Sequence, residues 1–137
     1  MIIENLVQHL RNQFPAESFY CNTRENTALQ PSLPDNCVLV QQGGGPSQPW
    51  TRYTQGTYQV LVRNKVTPYA KKLAQEIFDE LHGRFGLILP AATVGAVTYL
   101  QKVTAEIRAV QLPYCLGADG AGRTSFTTNY IIIYEEK

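Results

Sequence analysis

The only two histidines, His9 and His82, are the side chains best suited to move protons near neutral pH. Each lies in a segment with helical periodicity, toward its polar side, and His82 stands at the end of its segment, where a cation suits the helix dipole. The carboxylates Glu76, Asp79 and Glu80 could act as acid and base or hold a divalent ion. They lie opposite an apolar stripe, however. We expect all five to occupy solvated helix positions.

The three cysteines Cys21, Cys37 and Cys115 are candidate nucleophiles or metal ligands. They are widely spaced and odd in number, and no C-x-x-C pair is present, so neither a disulfide framework nor a zinc site is indicated. We expect reduced, partly buried thiols in a cytosolic setting. Asp119 in LGADGAG lacks the alternating oxygen ligands of a calcium loop. The sequence therefore predicts no catalytic residue and no metal site.

A glycine run after an apolar strand could cradle a phosphate if a helix followed it. Gly43, Gly44 and Gly45 are followed instead by Pro46, Pro49 and the strand-like alternation of TRYTQGTYQVLVR, with no Lys-Ser or Lys-Thr. A nucleotide site is disfavoured here.

These residues must be positioned by two predicted helices and several strands. The first helix starts at Ile2 and ends before Pro15. The second has Thr67 as its cap and Pro68 at its first position, and it stops at Gly83 in a left-handed conformation.

Strands are predicted by apolar runs and by alternation. A weak strand lies around residues 18–21, a strand covered on both faces at 37–40, and alternating strands at about 52–63, 102–109 and 124–136. Tyr58, Tyr130 and Tyr134 fall at positions that look buried. Residues 84–96 fit either a short edge strand or a packed loop, and LGADGAGR fits a loose hairpin loop.

The strand KVTAEIRA is predicted to have one buried and one wet face. The buried set comprises Val103, Ala105, Ile107 and Ala109, and the wet set Lys102, Thr104, Glu106 and Arg108. Together these elements predict one α+β domain over residues 1–137, αββαββ-like in order. Its sheet is mostly antiparallel, with the helices packed on one face.

Charge and hydropathy exclude several function classes. Twelve basic residues against eleven acidic ones leave a formal charge of +1, which argues against wholesale binding of nucleic acid or anionic membrane. The wet face of KVTAEIRA mixes signs and offers no aromatic platform for RNA. No signal peptide and no run of ~20 apolar residues is found, so we expect a soluble protein.

Three segments resemble the minor capsid or tail-terminator proteins of long-tailed bacteriophages: QQGGGPSQPWTRYTQGTYQVLVR, AKKLAQEIFDELHG and LPYCLGADGAGRTSFTTNYIIIYE. The resemblance implies a structural virion protein rather than an enzyme, with no cofactor. Such proteins look like αββαββ domains that form a ring, usually a hexamer. The ring caps the tail tube, ends its polymerisation and joins it to the head.

The partners implied by the resemblance are other copies of the chain, the tail tube protein and a head completion or connector protein. Genomic DNA would be met only in passage through the lumen, and no membrane is involved. The implied location is the head-proximal end of the tail in the virion, and the host cytoplasm during assembly. A small cellular nucleic-acid- or ligand-binding α+β module is the alternative, and a small enzyme is a third reading.

The glycine loop then has an interpretation as an interface with a neighbouring subunit or the tail tube. Glycines let the chain leave the strand, prolines stiffen the loop, and a tryptophan can anchor an interface. The predicted interface set is Gly43, Gly44, Gly45, Pro46, Pro49, Trp50, Asp119 and Arg123. A turn with Trp50 folded into its own core is the competing interpretation.

A ring lumen that DNA crosses would favour basic side chains on its inner surface. The candidates are Arg52, Arg63, Lys65, Lys102, Arg108 and Arg123. Solvated or salt-bridged surface positions are the competing interpretation for each of them.

Overall fold

The computed structural model describes residues 2–22, 34–43 and 53–135. Within these ranges the chain forms two helices and ten strands. In chain order they are α1 (Ile3–Gln13), β1 (Phe19–Asn22), β2 (Cys37–Gln42), β3 (Tyr53–Asn64), α2 (Thr67–Leu81), β4 (Arg84–Phe85), β5 (Ile88–Leu89), β6 (Ala92–Val94), β7 (Val97–Tyr99), β8 (Lys102–Ala109), β9 (Tyr114–Ala118) and β10 (Thr124–Glu135).

Eight strands form one sheet, in the order β1-β2-β3-β10-β8-β4, with β5 also on β8 and β9 also on β10. Every pairing in this sheet is antiparallel except that of β1 with β2, which is parallel. The long strands β3 and β10 pair over their whole length and form the centre. The α+β class and the mostly antiparallel sheet are confirmed.

Both helices pack on one face of this sheet and share one core with it. The predicted burial of the three tyrosines is confirmed, since Tyr58, Tyr130 and Tyr134 are all buried. The segment CVLV is buried throughout, as predicted for a strand covered on both faces. Each large apolar side chain buried in this way stabilises the fold by about 1.5–3 kcal/mol. The domain boundaries 1–137 stay a prediction.

The ends of α2 confirm one sequence signal and correct another. Gly83 follows the helix with φ 79°, the left-handed conformation predicted for it. Thr67 does not cap the start, because the N-cap position is Val66. The Thr67 hydroxyl instead hydrogen-bonds the hydroxyl of Thr124 at 2.8 Å. The N–H of Val66 donates to Asn64 Oδ1 at 2.8 Å, so a side chain further upstream shapes the entry to the helix.

The predicted alternation of β8 is wrong in its first half. The pairing of β8 with β10 slips by one residue at Ala105, which forms a β-bulge. Before the bulge the faces are therefore exchanged: Thr104 is 1% exposed and Val103 is 51% exposed. The Thr104 hydroxyl donates to the carbonyl of Leu87 at 2.8 Å, so its burial leaves no unpaired donor. After the bulge Ile107 is buried as predicted.

Residues 84–96, which fitted either a short edge strand or a packed loop, contain the short strands β4, β5 and β6, and a fourth short strand, β7, follows. β4 and β5 pair with β8 along its outer edge. β6 and β7 form a separate two-stranded hairpin, with Ala92 opposite Tyr99 and Val94 opposite Val97. No helix in the described ranges is long and apolar enough to cross a membrane.

Candidate assembly surfaces

Two of the side chains that could act as acid or base, His9 and Glu80, contact each other and hold the two helices together. His9 is only 7% exposed, and its Nε2 lies 3.2 Å from Glu80 Oε2. The same carboxylate oxygen lies 3.0 Å from Arg84 Nη1. The expectation that His9 and Glu80 are solvated is wrong, because this pair joins the side of α1 to the end of α2. Glu76, by contrast, is exposed and pairs with Lys72 at 3.7 Å, as a solvated helix residue would.

His82 stands just after α2, as predicted, and its ring contacts the backbone of β8. Its Nδ1 accepts the backbone N–H of Ala109 at 2.9 Å. The ring also stacks on Phe78, with centroids 4.8 Å apart. His82 therefore ties the end of the helix to the end of β8.

None of the cysteines in the structure is paired. Burial, with a smaller contribution from Glu4, raises the pKa of Cys21 to about 11. Burial also raises the pKa of Cys37. Both thiols are thus poor nucleophiles at neutral pH, whereas Cys115 is exposed on β9. Within the described ranges, no group of three His, Cys, Asp or Glu side chains could hold a metal ion.

The turn between β9 and β10, residues 119–123, is a tight and internally bonded structure that we call the polar tip. Asp119 Oδ1 accepts the backbone N–H groups of Ala121 at 2.9 Å and Arg123 at 3.1 Å. Its Oδ2 accepts from Arg123 Nε at 2.8 Å. These donors, the Arg123 N–H foremost, hold the pKa of Asp119 below its usual value. The expectation of a loose loop is wrong, because one carboxylate satisfies the turn's donors.

A second carboxylate, Asp35, ties the polar tip to the segment before β2. Arg123 Nη1 lies 3.4 Å from Asp35 Oδ1, and Lys65 Nζ lies 3.1 Å from Asp35 Oδ2. Arg63 Nη2 donates to the carbonyl of Pro34 at 2.6 Å. The Lys65 hydrogen bond is the largest cause of the lowered pKa of Asp35. Three of the basic residues proposed for the lumen therefore converge here, in salt bridges and hydrogen bonds within the chain.

The remaining lumen candidates are not brought to this cluster. Lys102 and Arg108 stand at opposite ends of β8, and Arg108 is exposed opposite Ile131. Neither side chain forms an ion pair with any residue in the described ranges. Arg52 lies outside the described residues.

Only the first residue of the glycine loop is described. The Gly43 N–H donates to the carbonyl of Thr57 at 2.7 Å. A Cβ on Gly43 would lie 2.5 Å from Thr57 Oγ1, so a larger residue would require the Thr57 side chain to move. Beside it is a groove of about 470 Å³, lined in part by Gln41, Gln59 and Asn129. The predicted interface residues Gly44, Gly45, Pro46, Pro49 and Trp50 lie outside the described residues.

The main surface feature that sequence reasoning missed is an exposed apolar region along the outer edge of β8 and β9. Ten of the thirteen large apolar side chains exposed in the described ranges lie between Phe85 and Leu116, so the exposure is concentrated and not scattered. A sequence signal for it was present: no charged residue occurs from Phe85 to Gln101 or from Val110 to Ala118. The centres of protein–protein interfaces are likewise depleted of charged residues.

The β6–β7 hairpin, residues 92–99, carries part of this region, and we call it the apolar arm. Val94 and Val97 face each other beside its turn and are both more than half exposed. Its base is fixed by Asn5 of α1, which is fully buried. The Asn5 Nδ2 donates to the carbonyls of Pro90 and Leu100, both at 2.9 Å, and so joins the two ends of the hairpin.

The second part of the region, which we call the β9 strip, comprises Val110, Leu112, Tyr114 and Leu116, all about half exposed or more. β9 continues the direction of β8 along β10 after an interruption at residues 110–113. Among the described strands it pairs only with β10, so its outer backbone edge is open. An open, uncharged edge is a template for another strand.

A family model described as bacteriophage tail terminator protein matches residues 27–136. The chain belongs to this family. The match spans the glycine loop, both surfaces of the apolar region and the polar tip, although it starts after α1 and β1. A search of curated proteins finds no match to the sequence.

Membership in the tail terminator family decides between the functions left open by the sequence. It identifies a structural protein of the phage tail and favours a non-enzymatic role over an enzyme or a small cellular binding module. The histidine contacts and the burial of Cys21 and Cys37 described above agree with structural roles for those residues.

Proposed function

We propose that this tail terminator acts as a closed ring, a hexamer on the family pattern, at the head-proximal end of the tail. The ring would cap the tail tube, end its polymerisation and provide the joint to the head completion or connector protein. Family membership supports a tail component, and the surfaces of the subunit support assembly with other copies.

The main observation in support of a ring is that one subunit has two separate exposed apolar surfaces. A ring needs two different patches that meet head to tail with a rotation that closes. The apolar arm and the β9 strip are two such patches, both uncharged and both exposed in the isolated chain. Their burial between subunits would remove from water side chains that the fold itself leaves out.

The loop at residues 43–50 is proposed as a further contact with the neighbour or the tail tube. It departs beside the groove at Gly43, and Trp50 would act as its anchor. The polar tip, shaped by Asp119 and Arg123, would present its turn to the same partners. If Trp50→Ala leaves capping and ring mass unchanged, this contact is removed from the proposal.

DNA would meet the ring only in passage through the lumen. Among the lumen candidates that the structure describes, Lys102 and Arg108 form no ion pair with another described residue, so they are better placed than Lys65 or Arg123 to face a phosphate backbone. The balanced total charge means that any such effect is local.

The test measures mass and capping together. Light scattering after size exclusion, with negative-stain images of the same fractions, should show a closed ring with a central hole, free in solution or on purified tail tubes. Added to growing tubes, the protein should stop elongation at one end. A chain that neither self-associates nor binds tubes contradicts the proposal.

A matched pair of variants checks that the apolar region is responsible. Leu112→Asp places a charge in the β9 strip and should reduce capping. Val66→Asp places the same charge on an equally exposed apolar residue at the start of α2, outside the region, where an acidic residue suits the helix dipole. It should cap tubes like the wild type.

A further inference from the structure

We infer that the apolar arm of one subunit docks on the β9 strip of the next subunit and adds a strand to its open edge. This inference rests on the proposed ring and specifies which surfaces meet in it. The occupant of the strip is thus a second copy of this chain, contributing residues 92–99.

The apolar arm has the properties of a segment that binds to another protein surface. Its strands pair only with each other among the described residues, so their outer edges are open. Val94 and Val97 project beside the turn without a charged residue near them in the sequence. Gly95 takes φ 61° to close the turn, which keeps the tip narrow.

The arm is also held in one direction before it meets anything. The buried amide of Asn5 bonds a carbonyl on each side of the hairpin, and Ala92 is buried beside α1. A segment ordered in advance loses less conformational entropy on binding. The fold therefore uses a buried polar side chain to orient a hairpin whose tip contacts little of its own subunit.

The β9 strip offers an open strand edge to which the apolar arm can pair. β9 is exposed at all five residues and has one unpaired edge in the described part of the chain. Edge strands are usually protected by charges or by a covering element. β9 has neither, because no charged residue occurs from Val110 to Ala118 and no described element covers it.

The arm cannot reach the strip of its own subunit. The base of the arm, at Leu100, lies two residues before β8, while the strip is centred near Tyr114 at the other end of the same sheet edge. At about 3.3 Å per residue the separation is on the order of 40 Å, whereas each strand of the arm spans only about 10 Å. The two surfaces of one chain therefore remain free to bind two different neighbours.

Mixing two variants tests the pairing directly. Val94→Asp/Val97→Asp disables the arm, and Leu112→Asp/Leu116→Asp disables the strip. Each alone should bind itself roughly tenfold or more weakly than the wild type does. Mixed in equal amounts, the intact arm of one and the intact strip of the other should form a heterodimer that grows no further. Sedimentation velocity, with and without purified tail tubes, reads these masses.

The outcomes separate the inference from the proposed ring. If the wild type forms rings or caps tubes and the arm variant does so equally well, the arm is not an interface and the ring stands. If both variants are monomeric and the mixture stays monomeric, the arm does not pair with the strip, and the inference is wrong. If the strip variant still self-associates through its intact arm, or the arm variant through its intact strip, like surfaces pair and the inference is also wrong. A wild type that neither associates nor caps overturns both proposals.

A chemical cross-link removes the dependence on disruptive substitutions. Cys115 lies on β9 and is exposed, and Thr98 is exposed on β7. Thr98→Cys with a short bis-maleimide should give cross-linked multimers on a denaturing gel, and the same variant with Cys115→Ser should not. Equal cross-linking in the two proteins, or none in either under conditions where rings form, overturns the pairing.

Discussion

The molecule has two hairpins at the outer side of its sheet, and they end in opposite ways. The polar tip between β9 and β10 satisfies its own backbone donors with Asp119 and its charges with Arg123 and Asp35. The apolar arm between β6 and β7 leaves Val94 and Val97 exposed and is held at its base by the side chain of Asn5. The polar groups of one hairpin are bonded within the subunit, whereas the apolar side chains of the other are shielded from water only if a partner covers them.

This difference marks the apolar arm as the candidate binding surface, because its apolar side chains stay exposed to water in the isolated subunit. Polar groups that are hydrogen-bonded within a turn gain little from a partner, because they have already exchanged their bonds to water for bonds within the chain. Apolar area gains about 25 cal/mol for each Å² removed from water, so an exposed apolar hairpin favours association. Substitutions at the base of the arm, in the two turns, on β9 and at Asp119 therefore test whether the two hairpins differ in this way.

The largest effect is expected at the base of the arm. Asn5→Ala removes the side-chain donor that bonds the carbonyls of Pro90 and Leu100, which should lower the free energy of unfolding by roughly 1–3 kcal/mol. Self-association should weaken as well, because the arm loses its fixed direction. Urea unfolding and sedimentation measure the two effects. Asn12→Ala, an exposed asparagine on the same helix, should change the unfolding free energy by less than about 0.5 kcal/mol.

The turns of the two hairpins allow a matched substitution. Gly95 and Gly122 have φ 61° and 75°, and a Cβ on either would meet nothing within 4 Å. Replacing either by Ala should therefore destabilise the isolated chain by a similar amount, about 1 kcal/mol. Only Gly95→Ala should also weaken self-association measurably beyond that. Equal effects of the two variants on association would remove the distinction between the hairpins.

The rates at which Cys115 and Cys21 react with a maleimide should show whether β9 is covered on assembly. Cys115 on β9 should react rapidly with a maleimide in the monomer and at least roughly tenfold more slowly once rings form, because the strip is then covered. Cys21, with its pKa raised to about 11 by burial, should react slowly in both states. Mass spectrometry of labelled peptides measures each site. An unchanged Cys115 rate on assembly would contradict coverage of β9.

The smallest effect is expected at the polar tip, and it should depend on pH. The folded pKa of Asp119 lies below 3.8, so its charge stabilises the fold fully above about pH 5, and the effect is lost as the pH falls through the folded pKa. Asp119→Asn should therefore lower the unfolding midpoint slightly at pH 7, and the difference from the wild type should shrink as the pH falls through the folded pKa of Asp119. Asp35 shares Arg123 with Asp119 and its pKa is lowered too, so the same comparison in an Asp35→Asn background isolates the contribution of Asp119. A difference that grows toward low pH would contradict the assignment.

The sequence was sufficient for the parts of the fold that follow from local patterns. The stripe in α2, the left-handed Gly83 and the alternation of β3 and β10 each depend on neighbouring residues, and each was predicted correctly. The bulge at Ala105 depends instead on how β8 meets β10, and one inserted residue reversed the faces of Val103 and Thr104. His9 was misjudged for the same reason, since Glu80 comes to it from a distant helix.

The candidate surfaces were predictable only in part. Asp119 and Arg123 were named as one group, and they do contact each other, but their tie to Asp35 links residues far apart in the chain. The arm was missed because its short apolar strands fit a packed loop equally well. The lack of charge around it is visible in the sequence, but exposure is decided by what the rest of the chain fails to cover.

Hydrogen–deuterium exchange before and after assembly on tail tubes tests the central claim most directly. The account predicts that backbone amides at residues 92–99 and 110–118 become protected in the assembled state, while those of α2 keep their exchange rates. Protection appearing elsewhere, with unchanged exchange at both the apolar arm and the β9 strip while the tubes are capped, would contradict it.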